Sequence, residues 1–290
     1  MRARAGIAAA TGARHWLGGL LLAPWLACAA LAGARDAPPQ RVVSLNVCTD
    51  QLAMLLAAPG QLVAVSRLAR DPHASAMSVE AEGYATTPGG AEDVFRLNPD
   101  LVLAGSYTTH HATAMLRRLG VPVAEFTPTR DFDGIRADIL RVGALLGRED
   151  AAEAILAAFD AELAALRADA PDDPPRAVLY SANSWSSGEA TLAGAILRSA
   201  GFVNAAAEAG LAYGGTLPLE QLIMLAPDAV ITGTRYGGSS RAEAVLDHPA
   251  LRSFTDTRAL LPLSDADWVC GTPYVLRAIA RLRAAREALP

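Results

Sequence analysis

The chain has 290 residues, is 52% hydrophobic and carries a formal charge of −5. It can bury a large core and is long enough for two domains, and its acidic balance argues against a nucleic-acid partner. All 25 basic residues are arginine and none is lysine, a bias that reads as genomic base composition rather than chemistry.

The first forty residues read as an export signal. Arg2, Arg4 and Arg14 precede an apolar stretch from Trp16 to about Ala32, which ends in Ala32-Gly33-Ala34. That is the pattern of a secretory leader with a small-residue cleavage site, here placed after Ala34. One rival is a lipoprotein signal at Cys28, but Trp25-Leu26-Ala27 is a poor match before the cysteine. The other is a retained anchor, which Gly18, Gly19 and Pro24 interrupt. Without the leader, 22 arginines face 30 carboxylates and the charge becomes −8. Two cysteines then remain, Cys48 and Cys270. In an oxidising compartment they form either a lobe-to-lobe bridge or two semi-buried thiols, because pairing needs a Cα separation that sequence does not supply.

Residues 35–40 read as a linker, and Arg41-Val-Val-Ser-Leu45 as the first strand. A helix is expected over Asp50–Ala58 with Thr49 or Asp50 as its cap, then a strand over Val63–Ser66. A helix over about Thr109–Leu119 leads to Val121–Phe126, an edge strand because Pro122 has no N–H to donate to a ladder and fits an edge better than a central position. From Asp133 to about Asp169 the pattern is helical with a break near Gly147. Its second part has Ile155, Phe159, Leu163 and Leu166 at helical spacing. The boundaries that follow are an N-terminal lobe over 41–132, a connecting helical segment over 133–170 and a C-terminal lobe over 171–290. Ala177–Ser181 opens the second lobe as Val42–Leu45 opens the first. A strand at Leu260–Leu263 and a helix from about Thr272 to Ala288 complete it.

Two stretches spell nearly the same thing. Glu92, Pro99, Asp100 and Gly105 recur as Glu220, Pro227, Asp228 and Gly233, each 128 residues later. In the first copy, carboxylates in the first turn complement the helix dipole, Pro99 ends the helix, and Leu101–Ala104 is a run suited to a parallel sheet. A repeated helix-to-strand unit implies two similar α/β lobes with a cleft between them. The loops after the repeated strands are candidate cleft linings, because open parallel sheets bind ligands at the carboxyl ends of their strands.

The order of elements resembles the periplasmic substrate-binding proteins of ABC importers for vitamin B12, ferric siderophores and haem. The resemblance rests on Arg-Val-Val-Ser-Leu near the start, Glu-x-x-x-x-Leu-x-Pro-Asp in each half, one long connecting helix and a late Asp-Trp, and it covers residues 41–290. The cobalamin-binding branch looks nearest, through Ser187-Gly188-Glu189 and Ser264-Asp-Ala-Asp-Trp268. It implies two Rossmann-like lobes with mostly parallel sheets joined by a single long helix. It also implies a periplasmic location and capture of a cobalt or iron chelate in the cleft, with no resident cofactor. Delivery to a membrane permease and its ATPase follows. Glu92 and Glu220 match the positions that pair with arginines on the permease, although first-turn dipole support is the plainer reading of either alone. A monomer is expected.

The candidate ligand-binding residues are Asn46, Arg67, Arg70, Tyr107, Trp185, Tyr213, Tyr236 and Trp268, all placed in loops at the ends of predicted strands. Flat aromatics suit stacking on a macrocycle rim or on catechols, and arginine pairs bidentately with carboxylates. Arg130 and Arg235 also fall in such loops, and convergence of two or three arginines would favour an acidic siderophore or haem over cobalamin. His110-His111 is a poor chelating pair, because adjacent positions on a helix point about 100° apart. No metal site is therefore assigned. The alternatives are a haem or free zinc or manganese carrier and, more remotely, an exported hydrolase, for which no Gly-x-Ser-x-Gly elbow is present.

Overall fold

The computed structural model describes residues 37–108, 110–233, 235, 240–256 and 258–289. The expected leader with Cys28 and Ala34, and the candidate residue Tyr236, lie outside the described residues. The first lobe runs β1 (Val42–Ser44), α1 (Val47–Leu56), β2 (Leu62–Ser66), β3 (Ala85–Thr87), α2 (Ala91–Arg96), β4 (Leu101–Gly105), α3 (His110–Arg118) and β5 (Val123–Phe126). Its strands form one parallel sheet in the order β3-β2-β1-β4-β5, with β5 at an edge. Val42, Val43, Val102, Leu103 and Ala104 are fully buried, as strands covered by helices on both faces must be.

Two helices follow, α4 (Phe132–Leu146) and α5 (Glu149–Arg167). They are separated at Gly147, which takes the left-handed conformation (φ 66°) that ends helices and that glycine adopts without cost. Asp131 caps α4 by accepting from the Gly134 amide at 2.8 Å. At its 19 residues, α5 is about 28 Å long at 1.5 Å per residue. It buries Ala152, Phe159 and Leu163. One apolar cluster runs from Leu52 and Leu103 through Ile135, Ile139, Phe159 and Leu163 to Leu179, Ile196 and Ile279, so these helices are continuous with the cores of both lobes.

The second lobe contains β6 (Arg176–Ser181), β7 (Trp185–Ser186), α6 (Leu192–Ser199), β8 (Val203–Asn204), β9 (Gly215–Thr216), α7 (Leu219–Leu225), β10 (Ala229–Gly233), α8 (Pro249–Thr255), β11 (Ala259–Leu263) and α9 (Val275–Glu287). Here β11, β10, β6 and β8 are parallel, whereas β7 pairs antiparallel with β6 and β9 antiparallel with β7. The fold is thus α/β with two lobes, mostly parallel sheets and a long connecting helix. The short strands β3, β7, β8 and β9 carry too little periodicity to be read from the sequence. Helix α6, capped by Thr191 and burying Leu192, Ala195, Ile196 and Leu197, was not anticipated although its pattern is helical.

The repeated unit is α2-β4 in one lobe and α7-β10 in the other, and the contacts explain its spelling. Asp100 accepts from the Gln40 and Arg41 amides at 2.6 and 2.9 Å, and Asp228 accepts from the Arg176 amide at 2.8 Å. The Arg41 guanidinium donates to the Leu97 and Asn98 carbonyls, and that of Arg176 to the Ala226 carbonyl. In each lobe the Pro-Asp motif therefore joins a helix C-terminus to the start of the neighbouring central strand. Asn98 and Ala226 both sit at positive φ, 49° and 46°, where the chain reverses between helix and strand.

The first helix departs from expectation. It begins at Val47, and its cap is Asn46, whose Oδ1 accepts from the Cys48 amide at 3.0 Å. Thr49 and Asp50 are buried inside the helix, so neither is a cap. Asparagine in extended conformation captures the free first-turn amides earlier in the chain, and the helix starts there.

Candidate functional site

The first sheet changes direction between β1 and β4, and the segments leaving those strands carry Asn46 and Ser106-Tyr107. Such a switch point opens a crevice at the strands' carboxyl ends. Gly105 permits the close approach there, because a Cβ at that position would lie 2.8 Å from the Asn46 side-chain Nδ2. A cavity of about 150 Å³ is lined by Asn46, Cys48, Ser106, Tyr107 and Thr129 of the first lobe and Asp138 of α4 with Val269 and Gly271 of the second lobe. It shares Ser106, Tyr107, Thr127, Pro128, Thr129 and Asp138 with a larger cavity of about 750 Å³, whose far wall is Ala190, Thr191, Leu192 and Tyr213. A volume of that order suits a ligand of several hundred daltons, or the inserted face of a larger one.

Tyr107 and Tyr213 reach this cleft from opposite lobes and are 85% and 65% exposed. The Arg130 guanidinium lies over the Tyr213 ring, 5.3 Å from its centroid, so a cation and an aromatic face meet across the opening. Below them Thr129 donates to Asp138 Oδ2 at 2.9 Å. Burial raises the Asp138 carboxyl above its ordinary value, opposed by that hydrogen bond and by the charge of Arg141. The wall is therefore hydroxyl-rich, with two tyrosines, the Arg130 guanidinium against one of them, and the carboxyls of Asp131 and the partly desolvated Asp138. Among the described residues, no group of three or more His, Cys, Asp or Glu could hold a metal ion.

The other candidates go elsewhere. Arg70 donates to the carbonyls of Ala81, Glu82 and Tyr84, which fastens its own loop to the next, and it lines neither cavity. Arg67 lines a separate groove with Asn46, Thr87 and Thr108. Trp268 donates its indole N–H to Asp265 at 3.0 Å and packs against the main core. Trp185 is half-exposed on β7, against Gly214, and is absent from both cavity walls. Arg235 is paired with Asp247 at 2.8 Å. His110 and His111 are exposed on α3. Arg70, Trp268 and Arg235 leave strand ends as expected, but each has a nearer partner that holds it away from the cleft.

Sequence reasoning missed Thr127, Thr129, Asp138 and Thr191. The first two follow the edge strand β5, and the same rule that found Tyr107 applies to them. Asp138 and Thr191 had no such signal, because they reach the cleft from a helix flank and a helix cap. Glu92 and Glu220 are exposed in the first turns of α2 and α7. Glu92 pairs with Arg96 one turn on, at 2.8 Å. Among the described residues Glu220 has no ion pair. Cys48, on α1, and Cys270, between β11 and α9, are joined by a disulfide.

Residues 42–258 match the family model described as periplasmic binding protein. The cobalamin-binding protein of Halobacterium salinarum is 29% identical over 202 residues, which are 68% of this chain and 55% of that protein. The chain thus spans about half the length of this curated relative. Among solved structures, the periplasmic heme-binding protein RhuT from Roseiflexus sp. RS-1 superposes with a TM-score of 0.69 at 23% identity, over 85% of this chain and 99% of that one. The periplasmic vitamin B12 binding protein BtuF of Vibrio cholerae gives 0.66 at 19%, over 86% and 97%. At those identities the two structures speak for the fold alone. The family model covers about three-quarters of the sequence, and the chain belongs to the periplasmic binding protein family.

Proposed function

We propose that the chain is the substrate-binding component of an ABC importer, exported with its leader removed after Ala34. It captures a bulky metal chelate between its lobes and delivers it to a membrane permease. The observation that carries this reading is the cleft of about 750 Å³ walled by Tyr107 and Tyr213 from opposite lobes, with Arg130 over the Tyr213 ring. Two aromatic faces and a ring of hydroxyls suit a large, partly flat ligand held by stacking and hydrogen bonds.

Of Arg67, Arg70, Arg130 and Arg235, Arg130 alone lines this cavity. A single guanidinium supports an amide-rich cobalamin or a neutral ferric siderophore over a ligand with several carboxylates, such as haem. The cobalamin-binding relative from Halobacterium salinarum points the same way. A free zinc or manganese ion finds no support in the ligand types gathered here.

Calorimetric titration with cyanocobalamin, a ferric hydroxamate and haemin tests the reading. Arg130→Ala and Tyr213→Ala should each weaken binding by about 1–2 kcal/mol, roughly ten-fold, whereas Trp268→Phe should leave affinity unchanged. Loss of affinity in Trp268→Phe alone would move the site elsewhere.

The permease contact is assigned to Glu92 and Glu220, one per lobe at matched helix starts. Charge complementarity at a docking surface tunes encounter and register rather than the distant cleft. Glu92→Ala with Glu220→Ala should therefore abolish uptake in cells while leaving chelate affinity within about two-fold. Reduced affinity with normal transport would reject the assignment.

A further inference from the structure

The disulfide lies at the floor of the cleft, and its two halves are not equally accessible. Cys270 is 2% exposed. Cys48 is half-buried and lines the smaller cavity beside Tyr107, Thr129 and Val269. The segment that carries Cys270 is held close against the first lobe. A Cβ on Gly271 would lie 2.5 Å from Thr129 Oγ1, and Thr272 donates to the buried Gln51 Oε1 at 3.4 Å. Solvent thus reaches the bond through the cavity, on the Cys48 side.

We propose that Cys48 Sγ is a thiol-exchange site entered through the ligand cleft. A small thiolate attacks Cys48 Sγ and forms a mixed disulfide there, while the Cys48–Cys270 bond breaks and Cys270 leaves as a thiolate that takes up a proton. A second thiol then releases Cys48 as a thiol. In total two thiols give two electrons and two protons and end as one disulfide. Electronics alone favours the opposite course, because Cys48 lies in the first turn of α1, where the helix terminus stabilises a thiolate and makes Cys48 the better leaving group. Burial of Cys270 overrides this, since the attacking sulfur must approach along the S–S axis. A ligand seated against Tyr107 covers the entrance, so occupancy slows reduction. That coupling rests on the cleft being the binding site.

Incubation of the purified, ligand-free protein with millimolar reduced glutathione, acid quenching, alkylation and peptide mass mapping tests the route. Glutathione should be found on Cys48, with the alkyl group on Cys270. Glutathione on Cys270, equal amounts on both, or no adduct on either while an exposed model disulfide has fully exchanged would each overturn the proposal. Repeating the reaction with saturating cyanocobalamin, ferric hydroxamate or haemin, whichever binds, should slow adduct formation. If the adduct maps to Cys48 and none of the three binds, the transport reading fails while the exchange site stands. If a bound chelate leaves the rate unchanged, the entrance is not the ligand cleft and the gating is wrong.

Discussion

Replacing Cys48 and Cys270 together by serine should lower the unfolding free energy by about 4–5 kcal/mol, the largest single effect expected in this protein. The bond closes a loop with a sequence separation of 222 residues, so in the chain-entropy account it removes much of the freedom of the unfolded chain. It adds few contacts to the folded state, because Gln51–Thr272 and Gly271–Thr129 already hold the same seam. Equilibrium urea unfolding of the wild type and the double variant, followed by far-ultraviolet circular dichroism, gives the difference. A loss below about 1 kcal/mol would mean that the oxidised unfolded chain is hardly more restricted than the open one, contrary to the loop-closure account. Alkylation before reduction should label neither cysteine in the wild type.

The second large effect concerns Asp50, which is fully buried on α1. Desolvation raises its carboxyl from the ordinary 3.8 to about 6, although hydrogen bonds from Ser44 and from the Ser66 hydroxyl and amide oppose the shift. No charged neighbour is among the causes. A folded-state value above the unfolded one means that the native protein binds the extra proton between pH 3.8 and 6. Stability from this group is therefore fully present below pH 3.8 and is lost as pH rises through 6. The full span is worth about 3 kcal/mol, of which roughly half is present at pH 5 and almost none at pH 7.5. Asp50→Asn keeps an acceptor for the Ser66 amide and offers an N–H to its hydroxyl, with no charge to desolvate. The variant should be more stable than wild type at pH 7.5, and its urea midpoint should vary less between pH 5 and 7.5. An unchanged pH slope would show that Asp50 is not the titrating group.

The cleft and the two cysteines illustrate how far local chemistry reaches. Tyr107 follows β4 by two residues, so naming the strand named the residue, and Asn46 follows β1 for the same reason. Trp268 and Arg70 satisfy the same rule and fail. The indole N–H of Trp268 finds Asp265 three residues away, and the Arg70 fork finds three carbonyls 11 to 14 residues on. Position after a strand sets where a side chain begins, whereas the nearest unsatisfied partner sets where it ends.

The sequence alone determined the two lobes, the repeated helix-strand unit with its Pro-Asp junction, and the helical connection broken at Gly147. Each follows from periodicity and backbone chemistry within about fifteen residues. Tertiary structure alone decided which loops form the cleft, that Thr127, Thr129, Asp138 and Thr191 wall it, and that Cys48 meets Cys270. Those outcomes depend on chain crossings between segments 50 or more residues apart, where no local pattern records the distance. Burial of Asp50 belongs to the same class, since only the packed fold removes water from a carboxylate that its own helix would have left exposed.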